Sequence, residues 1–136
     1  MSELYHVTLK SRVRDILSKG IVPKKRSQYK GMFVELKDKG KIYAFTNFDD
    51  AARWASKMRF DFQRPTSIII FKDDVKKWEK DVHFESAMAK GKWIKRKGTV
   101  SPKNIIQVID HTLEMSRAVV KTLFKDKELH KSGKVY

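Results

Sequence analysis

Residues 4–23 read LYHVTLKSRVRDILSKGIVP, and the spacing of their apolar positions changes once along the way. From Glu3 to Leu9 the side chains alternate as in a strand with one face inward. Ser11 is then placed to cap a helix in which Val13, Ile16 and Leu17 share one face. Gly20 stands where a helix C-terminus favours a left-handed residue. A strand that feeds a helix stopping at Gly-Ile-Val-Pro is the opening of a mixed fold. The histidine between Tyr5 and Val7 poses the functional question, because it either packs in the core or reaches a ligand.

Working outward, KKRSQYKG is a charged loop, and KGKIYAFT is a strand entered from a Lys/Gly turn. Asn47 caps FDDAARWASKMRF, with Asp49 and Asp50 in the first turn complementing the helix dipole. Ala51, Trp54, Ala55 and Met58 recur at helical spacing, so one stripe of that helix is buried. Pro65 ends the connection. TSIIIF is a short, nearly continuous apolar run, which reads as a central strand. Asp73 is placed to cap a short helix, DVKKWEK, and DVHFESAM is strand-like. KGKWIKRKG reads as an exposed basic segment, either an edge strand or a loop. VSPKNI is a turn leading into IIQVIDH, the last strand. From Thr112 onward Met115, Val119, Val120, Leu123 and Phe124 predict a C-terminal helix, with a frayed tail after it. The expectation is one α+β domain over residues 1–111 whose strands outnumber its long helices, with residues 112–136 packed on it or extending it.

Composition narrows the class. The chain has 136 residues, of which 40% are hydrophobic, and that is enough for one core and too little for two. There is no apolar run of about 18 residues to span a membrane, and no internal repeat at a solenoid period. The N-terminus, MSELYHV, lacks a basic region and a long apolar stretch, so no signal peptide is expected. Without cysteine there is neither a disulfide framework nor a thiolate zinc site. These features predict an intracellular, cytoplasmic protein that does not enter a membrane. Thirty-one Lys and Arg against sixteen Asp and Glu leave a net charge of +15. That excess predicts a polyanionic partner, RNA or DNA or a protein associated with them, against the alternative of a basic but indifferent surface. Oligomeric state is not readable from the sequence.

The strand with LYHVT, the helix ending in GIVP, the strand with IYAFT, the helix built on DDAARWA and the late VSPKNIIQVID strand together resemble the ADP-ribosyltransferase-like superfamily. The resemblance runs from about Leu4 to Asp110 and is to the His-Tyr-Glu type, as a small bacterial or phage-encoded member. It implies a split β-sheet core with flanking helices, to which the C-terminal helix is an addition. It also implies NAD as cofactor. Small transferases of this kind occur among toxins and phage effectors.

Carried over by position, His6 matches the histidine that bonds an adenosine-side ribose hydroxyl, with Thr8 following on the same strand face. An imidazole suits that role because it donates from one nitrogen and accepts at the other. The alternative for His6 is a core histidine satisfied by a backbone carbonyl. Tyr43 matches the ring that stacks on nicotinamide, with Phe45 on the same face; the alternative is an ordinary strand aromatic facing the core. The resemblance also asks for a carboxylate that stabilises positive charge as the glycosidic bond to nicotinamide breaks. Glu85 is the first choice, with Asp81 and Glu79 behind it and a surface glutamate as the alternative. Two positions before Glu85 stands His83, where the arginine-modifying branch has an acid or glutamine, and this departure speaks against protein arginine as acceptor. The arginine-rich motifs of the RNA 2′-phosphotransferase branch are not found.

Other chemistries have less to stand on. His6, His83, His111 and His130 are scattered without ligand spacing, so no metal is expected. No GxSxG, Walker A or GxGxxG motif occurs. Two basic clusters bear on the acceptor. Lys90, Lys92, Lys95, Arg96 and Lys97 surround Trp93, and Lys24, Lys25, Arg26 and Lys30 follow GIVP. Basic side chains track phosphates while an aromatic stacks on an unpaired base, although a solvated face is the alternative for each cluster. The leading expectation is an NAD-dependent transferase acting on nucleic acid or a nucleic-acid-associated target. The competing one is a catalytically inactive protein of the same fold that binds RNA, DNA or a ribonucleoprotein through its basic surface.

Overall fold

The computed structural model describes residues 1–23, 40–81 and 89–111. The expected KKRSQYKG loop, most of the DVHFESAM segment and the C-terminal helix lie outside the described residues.

Hydrophobic alternation organises the chain around a sheet. Its strands are β1 (Ser2–Leu9), β2 (Lys41–Phe45), β3 (Thr66–Asp73), β4 (Glu79–Lys80), β5 (Trp93–Lys97) and β6 (Ile105–His111). They form one six-stranded sheet in the order β4-β5-β2-β1-β3-β6, with antiparallel neighbours throughout. Two helices are described, α1 (Val13–Lys19) and α2 (Phe48–Phe62), and together with the sheet they make one small α+β domain.

The sheet is covered on both faces. On one side Leu4, Ile42, Ala44, Ile69, Phe71 and Ile94 pack with Ile16 of α1, Ile21, Trp78 and Val100. On the other, Val7, Phe45 and Ile68 pack with Ala51, Ala52, Ala55 and Met58 of α2. This double covering explains why TSIIIF is apolar at successive positions: β3 is an inner strand, buried on both faces. The small alanines of α2 let that helix lie close to the sheet, and Asn47 holds its start by accepting from the Asp49 and Asp50 N–H groups.

Pairing is uneven along β1. It matches β3 continuously from Ser2–Asp73 to Leu9–Thr66, whereas it meets β2 at the single pair Tyr5–Phe45. The seam between β1 and β2 is therefore the least hydrogen-bonded line inside the sheet.

Gly20 closes α1 with φ +88°, as the sequence requires. Its neighbour Ile21 exchanges both main-chain hydrogen bonds with Val100, at 2.9 and 3.0 Å. GIVP and the turn before β6, far apart in the chain, are thereby tied together.

Three local expectations are corrected. Ser11 does not cap a helix: it lies inside a 3-10 turn, Lys10–Arg12, and α1 starts behind it without a side-chain cap. Of the face expected on α1, Ile16 is buried, but Leu17 is 51% exposed because so short a helix meets the sheet along a narrow line. Asp73 is the last residue of β3, and its successor Asp74 caps a single 3-10 turn, Val75–Lys77, in place of the expected helix. Finally, WIKRK is neither loop nor edge, since β5 is hydrogen-bonded to β2 on one side and β4 on the other.

Candidate active site at the junction of β1 and β2

His6 and Tyr43, 37 positions apart, are joined by a hydrogen bond of 2.6 Å between the imidazole Nδ1 and the main-chain oxygen of Tyr43. A carbonyl oxygen only accepts, so Nδ1 carries the proton, and in the neutral ring Nε2 is the acceptor. The bond fixes both the tautomer and the orientation of a half-buried imidazole at the seam where β1 and β2 share one residue pair. It is also the satisfied-histidine arrangement that the sequence left open, so His6 has a structural partner whatever else it does.

The faces add a correction. Alternation places His6 with Leu4 on the α1 side of the sheet, and Tyr43 with Phe45 on the α2 side. The two side chains leave their strands in opposite directions, and a ligand that touches both has to lie at the seam. Thr8 and Phe45 are poorer candidates for cofactor contact. Thr8 is 2% exposed, and Phe45 is a core ring packed edge-on against Trp93 at 5.1 Å between centroids. Glu85 lies outside the described residues, as do Lys24, Lys25, Arg26 and Lys30.

Both reserve carboxylates share Tyr43's side. The β4–β5–β2 register sets Glu79, Lys95 and Tyr43 in one row across three strands. Glu79 is exposed and pairs with Lys41 at 2.5 Å. Asp81, one step beyond β4, is buried, and its Oδ1 lies 3.9 Å from the Lys95 ammonium, which is itself only 7% exposed. Among the described residues no group of His, Asp and Glu is arranged to hold a metal ion.

The basic cluster around Trp93 divides by location. Lys92 and Lys97 are exposed, and Lys90 is exposed and paired to Asp49 at 2.9 Å. Lys95 and Arg96 are not a solvent-facing stripe. Arg96 donates to Asp73 Oδ2 at 2.7 Å and lies over the Trp78 ring. The Trp78 indole donates to the same carboxylate. Burial pushes the Asp73 carboxyl up, but the Asp74 N–H, the Trp78 indole and Arg96 outweigh it and hold the group below the usual carboxylate value. Trp93 is not a free stacking platform either, since it packs edge-on against Phe45 and Trp54.

Asp50 was visible in the sequence only as a first-turn acid. It is buried at 1% exposure, accepts from the Lys90 and Gly91 N–H groups at 2.9 Å each, and pairs with Arg53. It thereby fixes the chain that enters β5 against the start of α2. Gly91 is required there, because a Cβ would come within 2.6 Å of Thr46 Oγ1. No signal in the sequence distinguishes this buried clamp from a dipole-complementing surface acid. The described residues include no helix long and apolar enough to cross a membrane. No family model matches this chain, and no curated protein matches it.

Proposed function

We propose that this protein is an NAD-dependent ADP-ribosyltransferase-like enzyme. In this reading it breaks the bond between nicotinamide and ribose and transfers ADP-ribose to a nucleic acid or a nucleic-acid-associated target. One observation carries the reading: the imidazole of His6 on β1 is bonded to the backbone of Tyr43 on β2, at the one pair joining those strands. Two of the three residues that the resemblance names are thus neighbours in space.

The residues fit NAD in part. His6, with its proton on Nδ1, presents Nε2 as an acceptor for a ribose hydroxyl. Tyr43 is half-buried and retains ring surface for a flat partner. Thr8 and Phe45 are buried in the core and do not fit. NAD, when bound, supplies the glycosidic bond that is broken. The chain's part is to orient it and to set a fixed negative charge beside the developing positive one, where electrostatic stabilisation counts most. Glu85 remains the residue proposed for that charge. The phosphate-bearing acceptor rests on the net charge of +15 and on exposed Lys92 and Lys97, no longer on the whole Trp93 cluster.

The test is nicotinamide release from NAD by the purified full chain. Release that is abolished by Glu85→Gln and reduced by His6→Ala and Tyr43→Ala, with nucleic-acid binding retained, supports the reading. Nucleic-acid binding with no release by the wild type assigns the protein to the inactive, binding-only class.

A further inference from the structure

We propose that Lys95, with the indole N–H of Trp93, forms a phosphate-binding subsite on the Tyr43 side of the sheet. The identity of its ligand as a dinucleotide rests on the transferase reading above; the phosphate chemistry does not.

The first argument is placement. Lys95 is the direct cross-strand partner of Tyr43, and Trp93 lies two residues earlier on the same face of β5. Opposed residues of an antiparallel pair stand about 5 Å apart at Cβ, within reach of one ligand. The second is cost. A lysine buried to 7% exposure loses hydration that an apolar residue never had, and even a well-made buried ion pair is seldom more stable than an apolar replacement of similar volume. A β-branched residue would serve an inner strand better, so folding alone does not account for an ammonium there. The third is independent of Lys95. The Trp93 Nε1 is buried and has no hydrogen-bond acceptor, and a native buried donor left in this way marks a place where an acceptor is to arrive. An ammonium and a neutral N–H on one face call for a ligand rich in acceptor oxygens and negative in charge, which describes a phosphate or diphosphate. The Asp81 carboxylate, 3.9 Å from Lys95, lies beyond hydrogen-bond distance and acts as the counter-charge that phosphate displaces.

The test uses the full chain with three probes: inorganic pyrophosphate, ADP-ribose and nicotinamide riboside, titrated by calorimetry. Lys95→Met, near-isosteric and apolar, is expected to weaken pyrophosphate and ADP-ribose by about tenfold to a hundredfold while leaving nicotinamide riboside unchanged. Equal affinity of a folded Lys95→Met for all three overturns the proposal. Should that variant not fold, the wild type decides. The Trp93 indole N–H resonance, assigned with Trp93→Phe, is expected to shift on pyrophosphate addition, and an unmoved resonance overturns the subsite. Nicotinamide release separates the two readings. Release with Lys95→Met binding as wild type removes the lysine alone, whereas pyrophosphate bound through Lys95 without release removes the transferase and leaves the subsite.

Discussion

Replacing Gly20 with alanine tests the link between the GIVP segment and β6. Gly20 has φ +88° and ψ −178°, a region essentially confined to glycine, and entering it costs another residue about 1–3 kcal/mol. An added Cβ would meet the Val100 carbonyl oxygen at 2.1 Å. Ordinary van der Waals separation is well over 3 Å, so Val100 must retreat by ~1 Å. That retreat stretches the two Ile21–Val100 hydrogen bonds, now 2.9 and 3.0 Å, each contributing about 1 kcal/mol. The sum is a loss of about 3–5 kcal/mol, a large fraction of the roughly 5–15 kcal/mol that holds a domain folded. Urea unfolding followed by circular dichroism measures it. Gly40→Ala is the control: Gly40 has φ +83°, but its Cβ would meet nothing within 4 Å, so only backbone strain is added. Equal losses for the two variants would refute the close-approach argument.

Asp50→Asn leaves an amide that accepts the Lys90 and Gly91 N–H groups weakly and no longer pairs with Arg53; it is expected to cost about 3–5 kcal/mol and to speed hydrogen exchange at those two amides first. Unchanged exchange there would show that the clamp is not Asp50. Burial, aided by the charge of Arg59, lowers the pKa of His111 below 6.5. The folded state therefore holds His111 neutral while the unfolded chain protonates near 6.5, so stability is full above that pH and declines as pH falls toward the folded value. His111 faces Ser56 and Arg59 from α2, and His111→Gln is expected to flatten this decline in thermal melts between pH 8 and 5. Asp73 has the opposite ionisation. Its pKa is depressed, so its contribution is present above 3.8 and disappears as pH drops through the folded value. Arg96→Met, which keeps volume over Trp78 but removes the charge, is expected to destabilise by about 1.5–3 kcal/mol at neutral pH and to lessen the acid sensitivity. An acid limb identical to wild type in Arg96→Met would sink that assignment.

Local signals in the chain are reliable where the physics is local. Asn47 caps α2 because an amide beside two N–H groups needs only its own neighbours. Gly20 ends α1 for the same kind of reason, and the apolar run of β3 declares a strand buried on both sides. Ser11 and Asp73 fail as caps because each has a competing tertiary demand: the turn into α1 for one, and the Trp78–Arg96 cluster for the other. WIKRK reads as exposed because its charges look solvated in isolation. Its partners Asp81 and Asp73 come from before β5, and nothing in the spacing announces them.

The order of residues alone determines that this is a mixed α and β chain, with which segments are strands, where the helices begin and stop, and that its charge is strongly positive. Those properties follow from periodicity, caps and composition, which act over a few residues. Tertiary structure decides which side of the sheet each polar group serves. His6 and Tyr43 are brought together through a carbonyl and not through their side chains, and Lys95 is buried opposite Tyr43. Strand order and register fix these relations, and they depend on pairing between segments distant in the chain, which no local pattern encodes.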